Sequence, residues 1–264
     1  MMEWIHKCSL EWLQKRQKYL TASDVRKLIP LTATGRSRKV DEETYLKVYA
    51  NKLTMLTKDD CISYGAAARG HLLEPFAVEA LNQILDKKLL TMKFYHWDDE
   101  IISVEGRSLA FSPDAMTHQD DASYADGLAE IKCYSDEKHL ATACRNKRFI
   151  EERWQIACAM AVLDNIDYAF LVLFNPRMTE LARTFAIRYS RHDLQDEIDM
   201  ILKIEDDWNR FVERIRHRGF PTPAVFSHDA GKDESEIIEI LEKSERLSQQ
   251  DVLNPTYIYL KERR

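Results

Sequence analysis

The chain has 264 residues, 45% hydrophobic and 31% charged, which is enough apolar mass for a real core and enough charge for a soluble protein. No run approaches the roughly 18 apolar residues of a membrane helix. The opening MMEWIHKCSLEW reads as neither a signal nor a transit peptide, and the five cysteines show no CxxC pairing, so reduced thiols in a cytoplasmic protein are expected. The length allows one large domain or two small ones. A net charge of −6 does not advertise a nucleic-acid binder, but residues 1–50 carry ten Lys/Arg against six Asp/Glu, and residues 229–264 carry nine Asp/Glu against six Lys/Arg. That asymmetry suits a local basic groove on an acidic molecule, or ordinary surface charge.

In chain order, residues 8–30 read as two helices broken at Leu20-Thr21. Thr21-Ala22-Ser23-Asp24 is a helix start in which Thr21 or Ser23 supplies the N-cap oxygen. A first helical turn favours anions, and Arg16, one or two turns upstream, is close enough in sequence to share a phosphate with Ser23. The competing reading is a simple cap beside a surface arginine. Arg36-Ser37-Arg38-Lys39 is a short basic loop, either solvated or touching phosphate. Residues 41–57 form a helix with Tyr45, Val48, Tyr49, Leu53 and Leu56 on its apolar side. Residues 63–85 form a longer helix with Leu73, Phe76, Ala77, Ala80, Leu81 and Ile84 in the stripe, which Pro75 should kink or interrupt. Glu74, just before that proline, either faces solvent or points into a metal site beside Asp114.

Strands are expected at 89–97, 101–104 and 109–111, then at 128–132 around Glu130. A helix at about 148–163 follows, then an apolar strand at 168–174 of the kind buried on both faces. A strand at 181–188 and a long helix at 194–218 complete the order. That helix carries Leu194, Ile198, Ile201, Trp208, Val212 and Ile215 and ends at Gly219-Phe220-Pro221. Residues 221–264 look like an acidic appendage with a short helix at 234–247. The fold class is α/β: a central mixed sheet flanked by helices, with a C-terminal helical extension.

The chemistry concentrates between Phe111 and Lys132. Ser112-Pro113-Asp114 is a turn that closes one strand, and Glu130-Ile131-Lys132 lies in the next. Side chains alternate along a strand, so Glu130 and Lys132 share a face while Ile131 turns into the core. A bend at 120–127 would return Asp114 beside them. Two carboxylates and an ammonium on one face suit a hard divalent cation such as Mg²⁺ or Mn²⁺ and an activated water. For these three residues alone, an exposed salt-bridged hairpin is the rival reading. Gln155, on the apolar helix that follows, adds weight to the first.

Taken together, these segments resemble the lambda-exonuclease/YqaJ-type viral recombination nucleases of the PD-(D/E)XK superfamily, over about residues 10–220. Trp12 and Arg16 followed by Thr21-Ala22-Ser23 match that family's opening segment. Gly70-x-x-x-Glu74, Ser112-Pro113-Asp114, Glu130-Ile131-Lys132-Cys133, Gln155 with Met160, and Asn175-Pro176-Arg177-Met178 match in the same order. The chain departs from the pattern at Arg69, Ala115 and Ala157, and the loop from Asp114 to Glu130 is longer.

The resemblance implies a PD-(D/E)XK restriction-endonuclease-like core in residues 1–220, with 221–264 as an extension. It implies a Mg²⁺-dependent 5′→3′ exonuclease on linear double-stranded DNA that leaves 3′ tails for recombination, with Mn²⁺ able to substitute. It implies a phage or bacterial protein in the cytoplasm, a homo-oligomer such as a toroidal trimer, and a single-strand annealing partner. By carry-over, Asp114, Glu130 and the Ile131 carbonyl bind metal. Lys132 orients and helps deprotonate the water, Glu74 holds a metal-bound water or a second metal, and Gln155 positions the water or Lys132. Arg16 and Ser23 form a 5′-phosphate pocket. Cations beside Lys132 would ease its deprotonation. The cysteine pattern argues against the iron–sulfur versions of this class, and without a GxxxxGK[ST] loop no ATP requirement is expected. The rivals are an endonuclease of the same superfamily and a catalytically silent DNA-binding module.

Overall fold

The computed structural model describes residues 10–30, 38–54, 66–97, 101–119 and 121–220. Arg36 and Ser37 of the expected basic loop, the expected helix ends at 55–57 and 63–65, and the appendage at 221–264 lie outside them. The chain opens with α1 (Leu10–Gln17), a two-residue strand β1 (Leu20–Thr21) and α2 (Ala22–Leu28). The expected break at Leu20-Thr21 is therefore real, and it is a strand: β1 pairs in parallel with β4 (Leu109–Phe111), aligning Thr21 with Ala110. β3 (Ile102–Ser103) completes this small sheet on the other side of β4.

The main sheet has the order β2-β5-β6-β7-β8, formed by Tyr95–His96, Ala115–Met116, Gly127–Lys132, Tyr168–Phe174 and Thr184–Ser190. β6 and β7 run parallel, while β5 and β8 are antiparallel to their neighbours. A parallel pair needs a crossover. Here it contains α5 (Asp136–Ala143) and α6 (Arg153–Val162). Helix α5 is not among the expected elements, although Ser135-Asp136-Glu137 is a helix-start signal. Helix α6 starts a few residues later than expected, because Lys147–Phe149 forms a short 3₁₀ turn.

Two cores sandwich the sheet. On one face α6 is buried throughout its length between the sheet and α8 (Gln195–His217). There Tyr45 and Tyr49 of α3 (Glu42–Leu53) pack against Trp208 and Phe211, with ring centroids 5.4 to 6.5 Å apart. On the other face α4 (Ala66–Lys87) lays Ala77, Val78, Leu81 and Leu85 onto Ala129, Ile131, Phe170 and Val172. Pro75 does not interrupt α4. The lost hydrogen bond and ring clash cost about 3 kcal/mol, and burying several large apolar side chains at about 1.5–3 kcal/mol each outweighs that. Phe76, expected in the stripe, is 59% exposed.

The expected strand at 89–97 shrinks to Tyr95–His96. Leu89 has φ of 56° and closes α4, with the N–H of Leu90 donating to the Leu85 carbonyl at 3.1 Å. That left-handed closure is usually a glycine's position, so a leucine there gives no stop signal in the sequence. The strand expected at 181–188 begins later, because Glu180–Arg183 forms one helical turn, α7.

A buried Glu205 on α8 holds the strand that leads to the Ser-Pro-Asp turn. Its carboxylate accepts from Arg107 Nε at 2.8 Å, Ser108 N–H at 2.8 Å and Leu109 N–H at 3.1 Å. Removing such a partner strands buried donors, so Glu205 fixes where β4 ends and where Asp114 emerges.

Candidate active site

Asp114 sits between two strands. Its carbonyl accepts from Trp97 N–H at 3.0 Å on the β2 side, and its Oδ2 accepts from Ile131 N–H at 2.7 Å on the β6 side. The antiparallel register pairs Ala115 with Ala129, so Asp114 is brought back beside Glu130 as the bend required. Ile131 faces the α4 core, whereas Glu130 lines a cleft on the α6 face. Lys132 Nζ is in direct contact with Glu130 Oε1.

That cleft, about 60 Å³, gathers residues far apart in sequence: Arg16, Ser23, Ser112, Glu130 and Gln155. α6 supplies Gln155, the first turn of α2 supplies Ser23, and α1 supplies Arg16. Arg16 Nη2 is 3.4 Å from Ser23 Oγ, and its guanidinium lies 4.4 Å over the Trp12 ring, a cation–π contact that orients it. Among the described residues, the buried Ser112 hydroxyl has no hydrogen-bond partner.

Glu74 does not line this cleft. It is buried on α4, with Oε1 3.1 Å from His71 Nδ1 and Oε2 3.5 Å from His96 Nε2. His96 pairs with Ala115, so it joins Glu74 to the strand position next to Asp114. Burial pushes the Cys133 thiol up to about 12, and the negative charges of Glu74 and Asp114 add to this, so both carboxylates act on the same place. Neither histidine belongs to the expected site. The available signal for His71 is its place three residues before a helical glutamate.

The oxygen donors Asp114, Glu130 and the Ile131 carbonyl fit a Mg²⁺-type ion, which takes few protein ligands and keeps its waters. Among the described residues no group of three or more His, Cys, Asp or Glu is placed to hold a metal ion. The cluster also already holds a cation's charge: the Lys132 ammonium stands against Glu130. Burial works to lower the Lys132 value, but Glu130 first, then Asp114 and Glu152, outweigh it and hold the ammonium above its ordinary range.

A second buried lysine lies outside the expected site residues. Lys52 is bound to Asp24 Oδ2, with their side chains only 6% and 8% exposed. Positions 45, 48, 49 and 52 continue one helical stripe, whereas Leu53, expected on the apolar side, is 38% exposed. Arg38, expected in a basic loop, donates to the carbonyls of Arg26 at 3.0 Å and Lys27 at 2.8 Å and closes the end of α2.

A profile of the YqaJ-like viral recombinase domain matches residues 11–165. The chain belongs to this family. The span includes Arg16, Ser23, Glu74, Asp114, Glu130, Lys132 and Gln155. In this YqaJ-like chain the fold is shared with an alkaline exonuclease, LHK-Exo, from Laribacter hongkongensis: 18% identity over 80% of this chain and 100% of that one, with a TM-score of 0.52. The same exonuclease in complex with dAMP aligns at 19% identity over the same shares, also with a TM-score of 0.52. A phage-related exonuclease from Haemophilus somnus 129PT aligns at 12% identity over 75% of this chain and 96% of that one, with a TM-score of 0.48. Comparison with curated proteins finds no match. None of the described helices is long and apolar enough to cross a membrane.

Proposed function

We propose that this YqaJ-like protein is a Mg²⁺-dependent 5′→3′ exonuclease that degrades one strand of linear double-stranded DNA and leaves 3′ tails for recombination. The observation that carries the reading is the single cleft in which Arg16 and Ser23 face Glu130 and Gln155. An arginine fork with a hydroxyl suits a terminal phosphate, and the acidic wall suits the cation that cleavage of the next phosphodiester requires. The structure of the Laribacter exonuclease with dAMP, a nucleoside monophosphate of the size that exonucleolytic cleavage releases, supports a nucleotide end as the ligand class.

Asp114, Glu130 and the Ile131 carbonyl would hold the metal. When bound, it activates water and neutralises charge at the phosphorus. Lys132, in contact with Glu130, would orient the attacking water and help deprotonate it. Gln155 offers an amide at the cleft wall that fixes the direction of that water or of Lys132. Glu74, one strand position from Asp114 through His96, supports a second metal or its water shell. Arg16 and Ser23 hold the 5′-phosphate and so set the distance from the strand end to the cut. Residues 1–220 serve as the nuclease domain and 221–264 as an acidic extension. A homo-oligomer, such as the trimer the family resemblance implies, and an annealing partner complete the reading.

The test is digestion of one duplex labelled at its 5′ or 3′ end, with Mg²⁺ or EDTA, beside a covalently closed circle. Metal-dependent loss from 5′ ends with the circle intact is expected. Nicking of the circle would move the protein to the endonuclease reading, and inertness under all conditions would favour a silent DNA-binding module.

A further inference from the structure

Behind the Arg16–Ser23 wall lies a buried network that no catalytic role uses. Thr21 Oγ1 donates to Asp24 Oδ2 at 2.6 Å, and Asp24 Oδ2 also accepts from Thr21 N–H at 3.2 Å. A hydroxyl has one proton, so Thr21 accepts from Ser23 Oγ in their 3.0 Å contact. Ser23 in turn accepts from Arg16. The donors therefore run Arg16, Ser23, Thr21, Asp24, and the chain ends on a negative charge. Left bare, that charge would sit at the back of a pocket meant for an anion.

Two lysines meet it. Lys27 Nζ is 3.2 Å from Asp24 Oδ1, but it is 51% exposed and screened by solvent. Lys52 is buried, binds Oδ2, and also lies 3.4 Å from the Arg16 carbonyl oxygen. It is tied at once to the acid and to the backbone that carries the guanidinium.

We propose that Lys52 is a positioning residue for 5′-end specificity: by cancelling Asp24 and anchoring Arg16 from beneath, it keeps the Arg16–Ser23 wall net positive and Ser23 available to a terminal phosphate. The proposal rests on the 5′-phosphate reading of the cleft. When a phosphate arrives, Arg16 transfers its donors to it. Ser23 turns its proton from Thr21 to a phosphate oxygen, and Thr21 keeps its bond to Asp24. The proton count closes without any group changing charge. Consistent with a cationic setting, burial first, and then Arg16 and Lys27, push the Lys52 ammonium down in spite of Asp24.

The experiment compares single-turnover rates on otherwise identical duplexes with 5′-phosphate or 5′-hydroxyl ends, for the full-length wild type, Lys52→Met, Asp24→Asn and the double variant. Wild type should prefer the phosphate. If it does not, the pocket reading itself fails, and the proposal falls with it. Given that preference, Lys52→Met should reduce the phosphate-to-hydroxyl ratio about tenfold, the effect of one uncompensated charge near an anion in a partly buried site. The double variant, again neutral at this point, should restore most of the ratio. A purely structural lysine would instead slow both ends equally and leave the ratio at the wild-type value, and that result overturns the proposal while leaving the pocket reading intact. Should Lys52→Met not fold, Asp24→Asn, which keeps the lysine, decides: the ratio should rise, and an unchanged or lower ratio overturns the proposal.

Discussion

Lys52 and Lys132 are both largely buried, both bind a carboxylate, and both attach to walls of the same cleft. The protein nevertheless pushes them in opposite directions. Lys132 stands among Glu130, Asp114 and Glu152 and is held above its ordinary range despite burial. Lys52 stands among Asp24, Arg16 and Lys27, and burial pushes it below. The surroundings differ, not the residue. One wall has an excess of negative charge, which on the proposed reading would accept a cation; the other has an excess of positive charge, which would accept an anion. On that reading, a phosphodiester end held between them would meet both requirements of its cleavage.

The largest expected effect breaks the acidic side. Lys132→Ala should lower cleavage by about 10²–10⁴-fold, the usual contribution of a positioned proton-handling group, while duplex affinity in a gel-shift or anisotropy titration stays near wild type. Near-wild-type cleavage would remove Lys132 from the site. The next effect is on folding. Lys52→Ala leaves Asp24 buried without its main partner and should cost about 3–5 kcal/mol in denaturant unfolding, whereas a loss under about 1 kcal/mol would make the pair a surface-like one.

Arg16→Ala sharpens the contrast further. It should reduce the preference for 5′-phosphate ends by about tenfold, the scale of a charge-assisted hydrogen bond, and more than it slows cleavage of either single end. Equal loss on both ends would take Arg16 out of the phosphate pocket. The smallest effect is on acid stability. Burial alone would raise the Asp24 carboxyl, but Lys52, Thr21 and Lys27 hold it below its ordinary 3.8. A depressed carboxyl contributes stability that is full above the unfolded value and lost as pH falls through the folded one. Unfolding measured from pH 5 downward should therefore show a shallower acid limb for Asp24→Asn than for wild type.

Much of this is legible in the sequence, for a physical reason. β7 and α8 stand out, the first as an unbroken apolar run and the second by its three- and four-residue period. The Asp114, Glu130 and Lys132 grouping follows from strand alternation plus one bend. Short strands such as β2 are overdrawn because two paired residues carry little pattern, and Leu89 closes α4 in a glycine's conformation. Glu205, His96 and Lys52 stay hidden because their partners lie far along the chain: Glu205 meets Arg107 through α8, and Lys52 meets Asp24 only when α2 and α3 pack together. A charged residue on a buried stripe is the visible warning, and at position 52 the leucine beside it masks that signal.

The most direct test of the two-walled cleft is a crystal structure with a 5′-phosphorylated duplex and Ca²⁺, which takes oxygen ligands. The terminal phosphate should lie against Arg16 and Ser23, and the cation on Asp114, Glu130 and the Ile131 carbonyl. A terminal phosphate seated away from Arg16, or a cation bound without Asp114 and Glu130, would contradict the two-walled cleft.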